Sequence, residues 1–175
     1  MDTAVKSFVR INNQHYREQY GLCYEDFLIG SIIEHEPRRT ITEIDNMWGT
    51  LICMDQNPAY IDEHYASQTK YGKRVVSNSV TFCIVNGPTV NAMSAKAIAN
   101  LGWNQIKVVN PVFVGDTLYS VSEVLAKRES KSRCNQGIIK IRTSGYKVKD
   151  NSLVMLCERT FLVPKRSYQL MQYDI

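Results

Sequence analysis

The chain has 175 residues, 44% hydrophobic and 22% charged, with a formal net charge of +4. That length suits one domain with its own core and no metal or disulfide to staple it. No apolar run is long enough to span a bilayer, the polar N-terminal stretch does not read as a signal peptide, and the mild positive charge comes with no nucleic-acid-binding motif.

The cysteines, Cys23, Cys53, Cys83, Cys134 and Cys157, are odd in number and widely spaced. Without a C-x-x-C pair they argue against a disulfide framework and a zinc site, and point to a reducing, cytoplasmic setting.

In chain order, residues 1–20 read as an extension and residues 21–175 as a single domain. Tyr24–Gly30 leads into a first strand over Ile32–Thr40, interrupted by Pro37. The period then changes. Ile44, Met47, Trp48, Leu51 and Ile52 recur at helical spacing as one apolar stripe, and Thr42 with Asp45 marks the helix start as an acidic capping box. The helix ends near Met54, because Asp55-Gln56-Asn57-Pro58 has turn chemistry. Asp62 caps a short helix through Ala66 that closes at Gly72.

A long helix rich in small residues is expected from Ser79 to about Ile98, kinked or restarted at Pro88. Strands follow over Trp103–Val109, Val112–Val114, Leu118–Leu125, Ile138–Tyr146 and Leu153–Val163, the last apolar enough for a central position. Between the third and fourth of these, Lys127, Arg128, Lys131 and Arg133 form a basic hairpin tip, read as a solvated turn with phosphate contact as the competing function. Helices followed by a run of antiparallel strands predict an α+β fold, a long curved sheet around one central helix.

The segments YEDFLIGSIIEHEPRRTITEIDN, MDQNPAYIDEHYASQTKYG, RVVSNSV and NPVFVGDTL resemble the MaoC-like acyl dehydratases and enoyl-CoA hydratases, nearest the mesaconyl-CoA hydratase branch. The resemblance covers residues 20–165 and implies a hot-dog fold. Asp55, Asn57 and Pro58 match the family's Asp-x-Asn-Pro-x-His motif, with Asp62 and Ala66 at flanking positions. Two positions depart from it. Met54 stands where the family has glycine, and Tyr60 where it has the catalytic histidine.

What the resemblance implies is reversible addition of water to a 2-enoyl thioester. Asp55 would be the base, and Tyr60 a proton donor rather than a base, since a phenol stays protonated at neutral pH. Asn57 would hold the turn, and the backbone amides of Asn78, Ser79 and Val80 would hold the thioester oxygen at a helix N-terminus. His64 reads as solvent-facing, and His15 and His35 receive no role. The substrate would be an acyl-CoA or acyl-carrier thioester, with no metal or other cofactor and no nucleic-acid or membrane partner. An exposed sheet edge implies a homodimer or higher homo-oligomer. A thioesterase using Asp55 against the carbonyl, and a non-catalytic acyl-thioester-binding module, remain alternatives because of Tyr60.

Overall fold

A computed structural model describes residues 8–170; residues 1–7 of the expected extension and residues 171–175 lie outside the described residues. The described part of the extension is a small hairpin, β1 (Phe8–Arg10) paired antiparallel with β2 (Tyr16–Glu18). The main chain then enters β3 (Ile32–Thr40), whose pairing shifts between His35 and Arg39, around the cis peptide at Pro37.

Four helices follow: α1 (Glu43–Cys53), α2 (Pro58–Ile61), α3 (Glu63–Ser67) and α4 (Asn78–Thr89). The remaining strands are β4 (Ala99–Val108), β5 (Thr117–Glu129), β6 (Gln136–Lys147) and β7 (Leu153–Pro164), with a terminal helix α5 (Arg166–Leu170). The five-stranded sheet runs β3-β5-β6-β7-β4, and each neighbouring pair is antiparallel.

This is the α+β arrangement expected, with β7 inside the sheet as its apolar start required. Alternation along β6 sorts Ile139, Ile141 and Thr143 to the buried face beneath α4 and leaves Arg142 exposed. Helix and sheet approach closely because β6 carries Gly145, where a Cβ would stand 2.3 Å from Val85 Cγ2. Around one end of α4 pack Ile41, Val76, Val80, Leu118 and Met155; around the other pack Leu22, Phe27, Met93, Ile139 and Phe161. Each fully buried side chain of this size contributes roughly 1.5–3 kcal/mol.

Several boundaries differ from the sequence expectation. Val112–Val114 is no strand, since Asp116 Oδ2 captures Phe113 N–H at 2.9 Å and Gly115 takes φ +93 to close a turn. The central helix stops short of Ile98. After Pro88 it widens into a π turn over Val90–Ser94, and β4 is already under way at Ala99. Proline lacks the N–H that a regular helix needs there, which accounts for the irregular turn just beyond it.

The apolar stripe of α1 lies on its outer face. Ile44, Trp48, Leu51 and Ile52 are all more than 60% exposed, and the buried positions are Asn46 and Thr50. Small and polar groups let this helix lie directly on α4: a Cβ on Gly49 would come within 2.3 Å of Val80 Cγ2. Among the described residues no helix is long and apolar enough to cross a membrane.

Candidate active site at the start of the central helix

The site is assembled from the ends of α1, α2 and α4. Thr42 and Asp45 form the expected capping box, and α1 ends at Met54 in the left-handed conformation. That residue is where the family motif has glycine, so its positive φ of 53° supplies a physical reason for the family preference. The reversal returns the chain, Asp55 N–H bonding Thr50 O at 2.9 Å, and turns the Asp55 carboxylate toward α4.

There Ser77 receives it. Ser77 Oγ donates to Asp55 Oδ2 at 2.7 Å, and the same oxygen accepts from Ser79 N–H at 3.2 Å as the cap of α4. Asn46 fixes Ser77 from below, its Oδ1 accepting from Ser77 N–H at 2.9 Å, while its Nδ2 donates to Tyr60 O at 3.0 Å. One fully buried asparagine thus ties the helix carrying Tyr60 to the helix cap holding Asp55.

Asn57 plays a narrower part than expected. Its Oδ1 accepts from Ala59 N–H at 3.0 Å, capping α2, so it places Tyr60 directly and Asp55 only through the chain. Asp62 caps α3 by accepting from Tyr65 N–H at 3.0 Å. His64 is exposed on α3, as expected of a solvent-facing position.

Tyr60 is half-buried, and its phenol pKa is pushed above 10.0 by burial and by the negative charge of Asp55, against a smaller opposing effect of the Asn78 backbone. The phenol therefore keeps its proton through neutral pH. The three amides expected at the helix start are not equivalent. Asn78 N–H is directed at the Tyr60 phenol, Ser79 N–H is taken by Ser77 Oγ, and Val80 N–H has no partner among the described residues.

A groove of about 870 Å³ runs along one flank of α4 from its first turn past Pro88 to Asn91, between Arg38–Thr40 of β3, Gly49 and Cys53 of α1, and Ser79, Val80 and Cys83 of α4. Asp55 and Tyr60 do not line it. They lie beside the same first turn of α4, and Ser79 and Val80 are the residues common to the groove and to the expected oxyanion position.

Sequence reading missed Ser77 and Asn46. The first carried a signal, a serine immediately before the helix in RVVSNSV, where a cap belongs. The second was hidden as a polar residue opposite an apolar stripe, which reads as solvated.

Comparison with known proteins identifies the family and the fold. The sequence model of the mesaconyl-CoA hydratase family matches residues 2–172. A beta-methylmalyl-CoA dehydratase from Chloroflexus aurantiacus is 26% identical over 174 residues, covering 91% of this chain and 49% of the relative. A solved MaoC domain protein from the same organism superposes with a TM-score of 0.80 at 29% identity, covering 86% of this chain and 42% of that one. A Mycobacterium tuberculosis protein described as a double hotdog fold gives a TM-score of 0.74 at 19% identity, over 83% of this chain and 44% of its own. The architecture is therefore a hot-dog fold, and the chain spans about half the length of these relatives.

Proposed function

Because the chain belongs to the mesaconyl-CoA hydratase family, we propose that it catalyses the reversible addition of water to a 2-enoyl thioester. The observation that carries this reading is the Asp55–Ser77–Asn46–Tyr60 network at the first turn of α4. It brings a carboxylate and a protonated phenol to a helix start that favours developing negative charge.

In the hydration direction Asp55 takes a proton from water as the water oxygen bonds to the β carbon. The electron pair of the double bond moves through the α carbon onto the thioester oxygen, which lies against Val80 N–H and the positive end of α4. Tyr60 O–H then delivers a proton to the α carbon, and the proton held by Asp55 returns to the phenolate. Dehydration is the reverse. The phenol suits the donor role because both its burial and Asp55 favour the protonated form.

The acting species in this reading is a homodimer. Strand β4 forms a sheet edge and carries exposed Leu101, Ile106 and Val108, while α1 presents its apolar stripe outward. A relative of about twice this length supplies two such units in one chain; here a second copy would supply the other. The test is an assay on crotonyl-CoA that follows enoyl absorbance and free thiol together. Loss of absorbance without thiol is the expected result. Release of thiol would instead identify a thioesterase, and binding without either change a non-catalytic module.

A further inference from the structure

The hairpin β1–β2 belongs neither to the five-stranded sheet nor to the site. Every residue of its two strands is exposed. The register pairs Phe8 with Glu18 and Arg10 with Tyr16, so these four share one face. Arg10 braces the turn, its guanidinium bonding Asn12 O at 3.2 Å and Asn13 O at 3.1 Å. A two-stranded hairpin alone in water is marginally stable at best, and this one leaves the rings of Phe8, Tyr16 and Tyr20 more than half exposed.

Where the hairpin is rooted decides what it covers. Gly21 N–H bonds Asn91 O at 2.8 Å and Leu22 N–H bonds Met93 O at 2.9 Å, just past the end of α4 and just before β4 begins at Ala99. Beyond its other end β4 leads to Val112, whose carbonyl accepts from Val76 N–H at 2.8 Å, next to the Ser77 cap. Strand β4 therefore runs antiparallel to α4, from the hairpin root to the site. In the homodimer a twofold axis pairs the edge strand β4 antiparallel with its own copy. The start of one β4 then lies against the end of the other, about 4.8 Å away. Each hairpin is thus rooted beside its partner's site, while its own site lies about 21 Å off along α4. From Gly21 to Asn13 at the turn the chain spans at most ~28 Å, enough to lie across that neighbouring site.

We propose that the β1–β2 hairpin of one copy closes over the start of α4 in a second copy, so that each Asp55–Tyr60 site is completed by its partner. The proposal rests on the hydratase reading and its β4 dimer, and adds to them a segment supplied in trans. The two surfaces match in charge. Between Ile41 and Thr69 the chain carries Glu43, Asp45, Asp55, Asp62 and Glu63 and neither lysine nor arginine. Arg39 pairs with Asp45, and Arg74 with Glu43 and Glu63, which leaves Asp55 and Asp62 without a cation among the described residues. The hairpin brings Arg10 and Arg17, which pair with no carboxylate among the described residues, and aromatic rings that suit exposed Ile61 and Tyr65. Laid there, it displaces bulk water from the helix start, where a lower dielectric strengthens the pull of the amides on the thioester oxygen.

The experiment places the photo-cross-linker p-benzoylphenylalanine at Tyr16 of the full chain, co-expresses it with isotopically distinct native chain and maps the cross-links by mass spectrometry. Links to residues 43–65 in mixed-isotope pairs are the expected result. Links confined to one copy, links to other segments, or none overturn the proposal. A mixing assay on crotonyl-CoA reads the same contact. The Phe8→Glu, Tyr16→Glu double variant should fall at least about tenfold in kcat/KM. Co-expressed in equal amounts with Asp55→Asn, it should recover to about a quarter of native, since half of the randomly assorted dimers place a native hairpin over an intact Asp55. A mixture that stays near about a twentieth of native, the value for hairpins acting on their own copy, overturns the contact in trans. So does a double variant with native kcat/KM. A chain that sediments as a monomer overturns hairpin and dimer together and leaves the hydratase reading standing. A native chain that does not hydrate crotonyl-CoA overturns the hydratase reading instead, and the cross-links then decide the hairpin alone.

Discussion

The hydroxyl of Ser77 donates to Asp55 Oδ2 at 2.7 Å, so the residue that caps the central helix also holds the carboxylate proposed as the base. Capping and chemistry share one oxygen, and a substitution there separates them. Ser77→Ala should cost about 1 kcal/mol of stability as a lost cap. It should lower kcat ten- to a hundredfold or so, the scale of a charged-acceptor hydrogen bond lost from a positioned base. Ser77→Thr retains the hydroxyl and should restore most of the rate. Thermal melts alongside steady-state kinetics check both halves.

Tyr60 gives a prediction in pH. Its pKa lies above 10.0, raised by burial first and by Asp55 second, so the donor form persists across the neutral range. The alkaline limb of kcat should therefore lie above pH 10, and Tyr60→Phe should lower kcat by about 10²-fold or more. In Tyr60→His the donor titrates near 6.5 in an ordinary environment, so the limb should move down by several pH units. A native alkaline limb near neutrality would remove the phenol from the proposed role.

Gly49 tests the contact that sets α1 on α4. A methyl group there meets Val80 Cγ2 at 2.3 Å, and relieving the overlap by rotation takes the β-branched side chain out of the one χ1 rotamer strongly preferred in a helix. Alanine gains up to about 1 kcal/mol in helix propensity but loses roughly 1–3 kcal/mol to overpacking. Gly49→Ala should therefore destabilise. Adding Val80→Ala should recover part of that loss, which a double-mutant cycle in denaturant would show as a coupling between the two sites.

His35 should make stability fall in mild acid. It is 2% exposed, bonds Ser122 Oγ at 2.8 Å, and burial, with the charge of Arg159 second, lowers its pKa from 6.5 to about 4. A histidine whose folded pKa is depressed binds its proton more readily when unfolded. Its contribution is complete above pH 6.5 and lost as pH falls toward 4, on the order of 3 kcal/mol across the window. Glu158, whose pKa is held below 4.5 by Lys140 and Arg142, acts only at the lower end. The melting temperature should drop between pH 6.5 and 4.5, and His35→Gln should flatten that slope even though it lowers stability at pH 7.

The elements with strong local signals were legible in the sequence. The Thr42–Asp45 box, the Asp62 cap and the alternation of Ile139 and Ile141 against Arg142 are short-range patterns, and the structure has each of them. The limits of the central helix were less so, because Pro88 is followed by a π turn that small residues permit but do not announce. The Val112–Val114 strand failed because one carboxylate, Asp116, wins the backbone donor that a strand would need. The outward stripe of α1 shows a deeper difficulty. Apolar periodicity marks a helix, but Gly49, Asn46 and Thr50, small or polar, face its neighbour. In the site, motif matching located Asp55 and Tyr60 but not their connection. Ser77 and Asn46 are joined to them across 22 and 14 positions of chain, a separation without local pattern.

The central claim is that the carboxylate held by Ser77 activates water against an enoyl thioester. Hydration of crotonyl-CoA by the Asp55→Asn variant, measured as enoyl absorbance lost without thiol, tests it most directly. The account predicts a fall in kcat of about 10²- to 10⁴-fold with the fold intact by circular dichroism. Turnover equal to that of the native chain would contradict it.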